Sequence, residues 1–361
     1  MDCHVLRCHS VTQPRARALK MNQAPLKNDL TPSKMLDETA AYIASVQSLD
    51  GSIAWFIDGS ADPWDHIEAA MGLATRGQID AAKNAYNFLA EQQLANGGWF
   101  VSYEQGKPKD TSRIESNFVA YIATGIWHLY LVTDDKTVLA TYWPMVSRAM
   151  QLVVSLQGTY GEIYWAIDSE TGVQEDALVT GCSSIFHSLG CAIAIADTLQ
   201  APSAMLKQTR QKLKTALTAH PEAFDRTWDS KARYSMDWFY PVLTGVLTGP
   251  AALAHIDQRW DEFVVDQLGC RCVNDQPWVT VAETCELVMA LAVAGDTARG
   301  ATVFSWIHQF RDDVGAYWTG YVFPDQAIWP EERTTWTAGA VLLAADVLSK
   351  RTAGHRLFLQ P

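Results

Sequence analysis

Five short stretches of this 361-residue sequence gather carboxylates or aromatic rings: 62–66 (DPWDH), 109–117 (KDTSRIESN), 236–240 (MDWFY), 276–283 (QPWVTVAE) and 329–336 (WPEERTTW). A carboxyl buried among apolar groups keeps its proton and can serve as a Brønsted acid. Asp110 is the first candidate, because it stands between a polar loop and an apolar run with Asn117 placed to share its hydrogen bonds; helix capping is its competing role. Asp65 and His66 follow as groups placed to orient that acid, and Asp65 and Asp237, the latter in an aromatic nest, are the next acids to test. Asp62, just before Pro63, fits an N-cap. Glu283 stands one helical turn from Glu286, so both project from one helix face. Glu331, Glu332 and Arg333 read as a solvated helix start.

Rings gather in or near the same stretches: Trp64, Trp238, Tyr240, Trp278, Trp318, Tyr321 and Trp336. An aromatic face stabilises a cation by about 0.5–2 kcal/mol, and it also stacks on sugars. For Trp64, Trp238, Trp278 and Trp336, cavity lining and core packing remain equal alternatives. Glycoside hydrolysis needs two carboxylates about 5–10 Å apart; the pairs open to it are Asp110 with Glu283, or Asp237 with Glu332.

These residues need elements to hold them. Helical periodicity predicts twelve helices, near 33–47, 64–76, 79–93, 113–131, 136–156, 183–199, 203–219, 236–247, 251–266, 279–294, 297–310 and 333–349. They fall into six pairs, one member amphipathic and the other apolar and small-residue-rich nearly all round, as in IEAAMGLA, FVAYIATGIW and TAGAVLLAADVL. An amphipathic helix faces solvent on one side, and a helix apolar all round is buried. The expected fold is an all-α (α/α)6 barrel, six outer helices around six inner ones. Loops entering the inner helices meet at one mouth, where the helix N-termini add positive potential.

A second period runs through the chain. Gln93–Gly97–Trp99 reads Q-x3-G-x-W, Gln47–Gly51–Trp55 and Gln157–Gly161–Trp165 read Q-x3-G-x3-W, and Arg311–Gly315–Trp318 keeps the glycine and tryptophan. Each lies between an outer and an inner helix, with the glycine ending a helix; Trp99 reads as structural. These elements resemble the QW motifs of the squalene–hopene cyclase and protein prenyltransferase superfamily, and with room for one barrel the chain resembles the monodomain class II terpene cyclases over about residues 33–349. The resemblance implies an acid that protonates an alkene of a polyprenyl chain, an aromatic-lined dry cavity, a hydrophobic isoprenoid substrate with or without an aromatic head group, and no redox cofactor or metal. Neither D-x-D-D nor D-D-x-x-D occurs, so the motif does not hand over the acid. A carbohydrate-active α/α barrel working with paired carboxylates is the second reading, and a lipid- or partner-binding toroid the third.

The formal net charge is −12, which argues against nucleic acid as a partner and against an anionic membrane surface. Hydrophobic residues make up 48%, enough for a large core. No apolar run reaches the length of a membrane span, although transient membrane contact stays compatible with an oily substrate. Seven cysteines, an odd number without paired CxxC spacing, fit a reduced, cytoplasmic compartment, and Cys270 and Cys272 read as plain thiols. Residues 1–28 show neither helical period nor signal-peptide h-region; they are expected to be a disordered tail dispensable for folding, or an extension upstream of a start at Met21, with 29–361 forming one domain.

Overall fold

The computed structural model describes residues 33–359; the expected tail lies outside them. Thirteen α-helices are present among the described residues: α1 (Ser33–Val46), α2 (Pro63–Thr75), α3 (Ile79–Gln92), α4 (Ser116–Thr133), α5 (Lys136–Ser155), α6 (Val179–Thr198), α7 (Ala204–Ala219), α8 (Ser235–Leu243), α9 (Pro250–Gln258), α10 (Trp260–Phe263), α11 (Val281–Val293), α12 (Thr297–Trp306) and α13 (Thr335–Ser349). Helices α2, α4, α6, α8, α11 and α13 pack each on the next, and α13 returns to α2, closing an inner ring. Helices α1, α3, α5, α7, α9 and α12 pack outside α13, α2, α4, α6, α8 and α11 respectively. This is the all-α (α/α)6 toroid.

Burial follows from composition. Every residue of α2, nearly every residue of α11 and α13 and most residues of α4 and α6 are buried, whereas α3 and α7 bury one stripe. Small residues set the inner spacing: a Cβ on Gly72 of α2 would lie 2.9 Å from the Gly339 Cα of α13. The last inner helix is tied to the first loop, Thr335 N and Oγ1 donating to the carbonyls of Trp55 and Ala54 at 2.7 Å.

The sequence did not reveal the strands. The expected helix at 113–131 begins with strand Arg113–Glu115, the one at 279–294 with strand Trp278–Thr280, and the one at 251–266 is cut by Arg259 into α9 and α10, then ends in strand Val264–Val265. Strands 264–265, 269–271, 278–280, 320–322 and 327–328 form one antiparallel sheet, and 113–115, 166–168 and 172–174 another. Two or three residues long, they carry no period of their own, and their pairing is set by the helices they join. One further expectation is corrected: α6 is long and apolar enough to cross a membrane, and here it is an inner helix, largely buried in the ring.

Beyond α13 the chain crosses the C-terminal end of the inner helices. Leu357 O accepts from His187 Nε2 at 3.0 Å, and the Phe358 ring lies 4.7 Å from that imidazole. The ring is thereby stopped at one end, and the entries of the inner helices form the other.

Candidate active site

Four buried carboxyls occupy the entries of two inner helices: Asp65 and Glu68 on α2, and Glu283 and Glu286 on α11. Each pair is spaced i, i+3, which sets one carboxyl a turn below the other on a single face. Asp62 caps α2, accepting from Trp64 N at 2.9 Å, Asp65 N at 3.0 Å and Trp55 Nε1 at 2.6 Å. That cap aims the first turn of α2 at the mouth.

Electrostatics sort the four. Asp65 is driven well above the ordinary aspartate value by burial first, then by the negative charges of Asp62, Glu68 and Glu286 and by a side-chain hydrogen bond with Asp62. Burial likewise raises Glu68, to about 8, against the opposing pull of Tyr121, Trp336 and Trp64. Glu286 rises well above the glutamate value through burial and the charge of Glu68. Glu283 is raised by burial too, while Thr280 and Cys272 beside it favour its charged form. Like charges this close cannot all be ionised together, so the cluster holds protons at neutral pH.

The lower pair borders a small cavity of about 10 Å³, room for a single water-sized group, together with Tyr121, Ser184, Tyr240 and, on the apolar side, Leu243, Met289 and Phe358. Tyr121 donates to Glu68 Oε2 at 3.2 Å, and Tyr240 donates to Glu286 Oε1. Trp64 stacks on Tyr121 with centroids 4.2 Å apart. Half-buried Trp55, Trp165, Trp228, Trp318 and Trp329 stand in the segments leading to the inner helices.

Of the residues singled out in the sequence, Asp65, Glu283, Tyr240, Trp64 and Trp336 gather here. Trp336 is buried in the first turn of α13, and Glu68 feels its indole. Asp110 does not belong. It ends strand Lys107–Asp110 of a hairpin, its carboxyl is half exposed, and hydrogen bonds from Ser112 hold it below the ordinary aspartate value. The expectation that burial keeps it protonated is therefore corrected. Asn117 lies in the first turn of α4 beside Gly181, while Asp110 turns to Ser112 and Arg113. Asp237 Oδ1 accepts from Thr180 N and Oγ1, at 3.2 and 2.7 Å, joining α8 to the start of α6; burial raises it to about 6.

Two further residues singled out in the sequence, His66 and Trp238, serve packing. His66 accepts from Ile53 N at 2.9 Å and bonds Ala85 O at 2.8 Å, pinning α2 to the outer layer. Trp238 donates to His255 O and stacks 5.0 Å from Phe263, outside the ring. Trp278 donates to Trp329 O at 2.7 Å, Trp318 lies under the Arg333 guanidinium, and Tyr321 packs 5.3 Å from Phe310, so these three build the rim sheet and its loops. Cys270 and Cys272 are buried free thiols, and no cluster of His, Cys, Asp and Glu with metal-binding geometry occurs among the described residues. Glu68 escaped the sequence reading because it sits inside an apolar helix. The available signal was the D-x-x-E of α2 matching the E-x-x-E of α11.

No family profile matches the sequence. A curated relative, the MMP endo-(1,4)-3-O-methyl-alpha-D-mannosidase of Mycolicibacterium hassiacum, is 46% identical over 329 residues, covering 91% of this chain and 90% of the relative. Among solved structures, a wild-type glycosidase superposes with a TM-score of 0.69 at 15% identity, over 88% of this chain and 96% of that one. A GH63 mannosylglycerate hydrolase from Thermus thermophilus, in complex with glucose, does so at 0.64 and 12% identity, over 85% and 99%. A D-mannose isomerase reaches 0.67 at 11% identity, over 88% and 96%. At such identities the structural likeness shows the fold alone. The relatives with a stated activity act on carbohydrates. The terpene-cyclase resemblance, with its acid-initiated carbocation chemistry and isoprenoid substrate, is thereby overturned. The glutamine–tryptophan turns that carried it are the joints of an α/α toroid, whatever reaction the toroid performs.

Proposed function

The chain belongs to the family of the MMP endo-(1,4)-3-O-methyl-alpha-D-mannosidase, and we propose that it is a glycoside hydrolase that cuts α-(1→4) links within chains of 3-O-methylmannose. The supporting observation is the pair Asp65 and Glu283, two buried carboxyls in the first turns of two inner helices at one mouth. Their surroundings separate their roles. Asp65, held protonated by burial and three carboxylate neighbours, delivers a proton to the glycosidic oxygen as the bond to the anomeric carbon breaks. Glu283, the member whose neighbours favour its charge, works on the anomeric carbon. Two carboxyls in different surroundings, one held neutral and one whose neighbours favour its charge, are the general arrangement for this hydrolysis. The tryptophans of the rim offer flat apolar faces, which suit a sugar made less polar by O-methylation.

The test is incubation of the purified chain with an α-(1→4)-linked 3-O-methylmannose oligosaccharide, with products read by mass spectrometry. Internal cleavage is expected. Asp65→Asn and Glu283→Gln should each lower kcat by about 10³-fold or more while melting within a few degrees of the wild type. Wild-type turnover in both variants would remove the assignment of the pair, and an oligosaccharide left intact by the wild type would remove the proposed activity.

A further inference from the structure

The lower carboxyl pair has no part in the reaction just described, and its geometry is unusual for a structural core. Glu68 and Glu286 are each 1% exposed. In both, a tyrosine holds one carboxyl oxygen; Oε2 of Glu286 meets no protein hydrogen-bond partner, and Oε1 of Glu68 closes no well-formed hydrogen bond, although the Trp336 and Trp64 indoles stand close enough to favour that carboxyl's charge. The Trp336 Nε1 donor nearby also closes no hydrogen bond. Leaving a buried polar atom unsatisfied costs about 1–3 kcal/mol, and both carboxyls, incompletely satisfied by the protein, line one cavity. Two apolar side chains would fill that space better.

We propose that Glu68 and Glu286 together bind the 2-hydroxyl of the sugar unit whose anomeric carbon is released, and so determine which sugar is cut; this rests on the glycosidase reading above. The chemistry of the substrate selects that hydroxyl. An internal unit of a (1→4)-linked 3-O-methylmannose chain has C1 and O4 in glycosidic links and O3 methylated. Only the hydroxyls on C2 and C6 remain as donors. C2 adjoins the reacting C1, and the lower pair lies three residues along its helices, a rise of about 4.5 Å, below Asp65 and Glu283. A ring held with C1 at the upper pair directs its C2 substituent down toward the lower carboxyls. Tyr121 and Tyr240 fix both carboxyls in position, so the sugar meets a preorganised site. A site built to hydrogen-bond a hydroxyl rejects the analogue lacking it, because its own buried groups are then left unpaired.

The experiment measures binding of methyl α-D-mannoside and its 2-deoxy analogue, by calorimetry, to the wild type and to Glu68→Met, Glu286→Met and the corresponding Gln variants. The wild type should prefer the mannoside by about tenfold or more. In the Met variants that preference should shrink below about twofold, and Gln, which keeps hydrogen-bonding atoms, should recover part of it. A wild type that binds both sugars equally overturns this inference even when it cleaves the oligosaccharide normally. A folded Glu286→Met variant that keeps tenfold discrimination overturns it as well. A wild type that neither binds nor cleaves any mannoside removes the glycosidase reading and this inference with it.

Discussion

Asp65 and Asp110 carry the same side chain, and their surroundings drive their acidity in opposite directions. Asp110 faces water and accepts hydrogen bonds from Ser112, so its charged form is favoured. Asp65 is buried against three other carboxyls, so its neutral form is favoured. The pH dependence of hydrolysis follows with its sign. The acid must be protonated, and activity falls as pH rises through the Asp65 value. Its partner must be ionised, and activity falls as pH drops through the raised Glu283 value. Both limbs of the kcat/KM profile are therefore expected above the ordinary carboxylate range of about 4, and Asp110→Asn should leave the profile in place. A profile whose limbs both lie below pH 5 would show that burial does not set the acidity of the pair.

The joints between outer and inner helices repeat one solution. Gln47, Gln93 and Gln157 each donate through Nε2 to the glycine carbonyl four residues on, and to a carbonyl of the next outer helix: Ala81, Met145 and Thr209. In the fourth joint, where Arg311 replaces glutamine, the two tasks are divided. Thr39 Oγ1 takes the Gly315 carbonyl at 2.8 Å, and Arg311 reaches Met35 O and Glu38. Gln93→Ala leaves two carbonyls short of a donor and should cost about 1–3 kcal/mol of stability. Gly97→Ala should cost more: the glycine sits at φ +92°, and a Cβ would lie 2.3 Å from Arg148 O. Denaturant titration of both variants checks this order, with kcat unchanged in each; equal stabilities would mean that the close approach relaxes at no cost.

For the molecule as a whole, the carboxyl cluster makes stability depend on pH against the usual trend. Glu68 titrates at about 8 in the folded chain and near 4.5 when unfolded, so the folded state binds the extra proton between these values. Its contribution is complete below the unfolded value and is lost as pH rises through the folded one. The opposing shifts of His128, to about 3, and His187, to about 4, have played out by pH 7. From pH 7 to 9 the melting temperature should fall, each such carboxyl contributing a slope of up to about 1.4 kcal/mol per pH unit, and Glu68→Gln should flatten the curve. A melting temperature constant over that range would mean that the cluster is compensated by charge.

The six-pair toroid was legible in the sequence because each inner helix is apolar all round and each outer one is apolar on a stripe, and only a double ring buries both patterns. The glutamine–glycine–tryptophan joints were legible for the same reason, as local geometry repeated. The site was legible only in part. Asp65 and Glu283 stood out beside aromatic residues, and Asp62 before proline read correctly as a cap. Glu68 stayed hidden within IEAAMGLA, and Asp110 drew attention it does not merit in the fold. A carboxyl's acidity depends on what surrounds it in space, and the sequence shows only its neighbours along the chain. Closure of the ring brings α2 and α11, more than two hundred residues apart in sequence, to either side of α13, and that closure decides which carboxyls share charge, which are left to water, and therefore which can do chemistry.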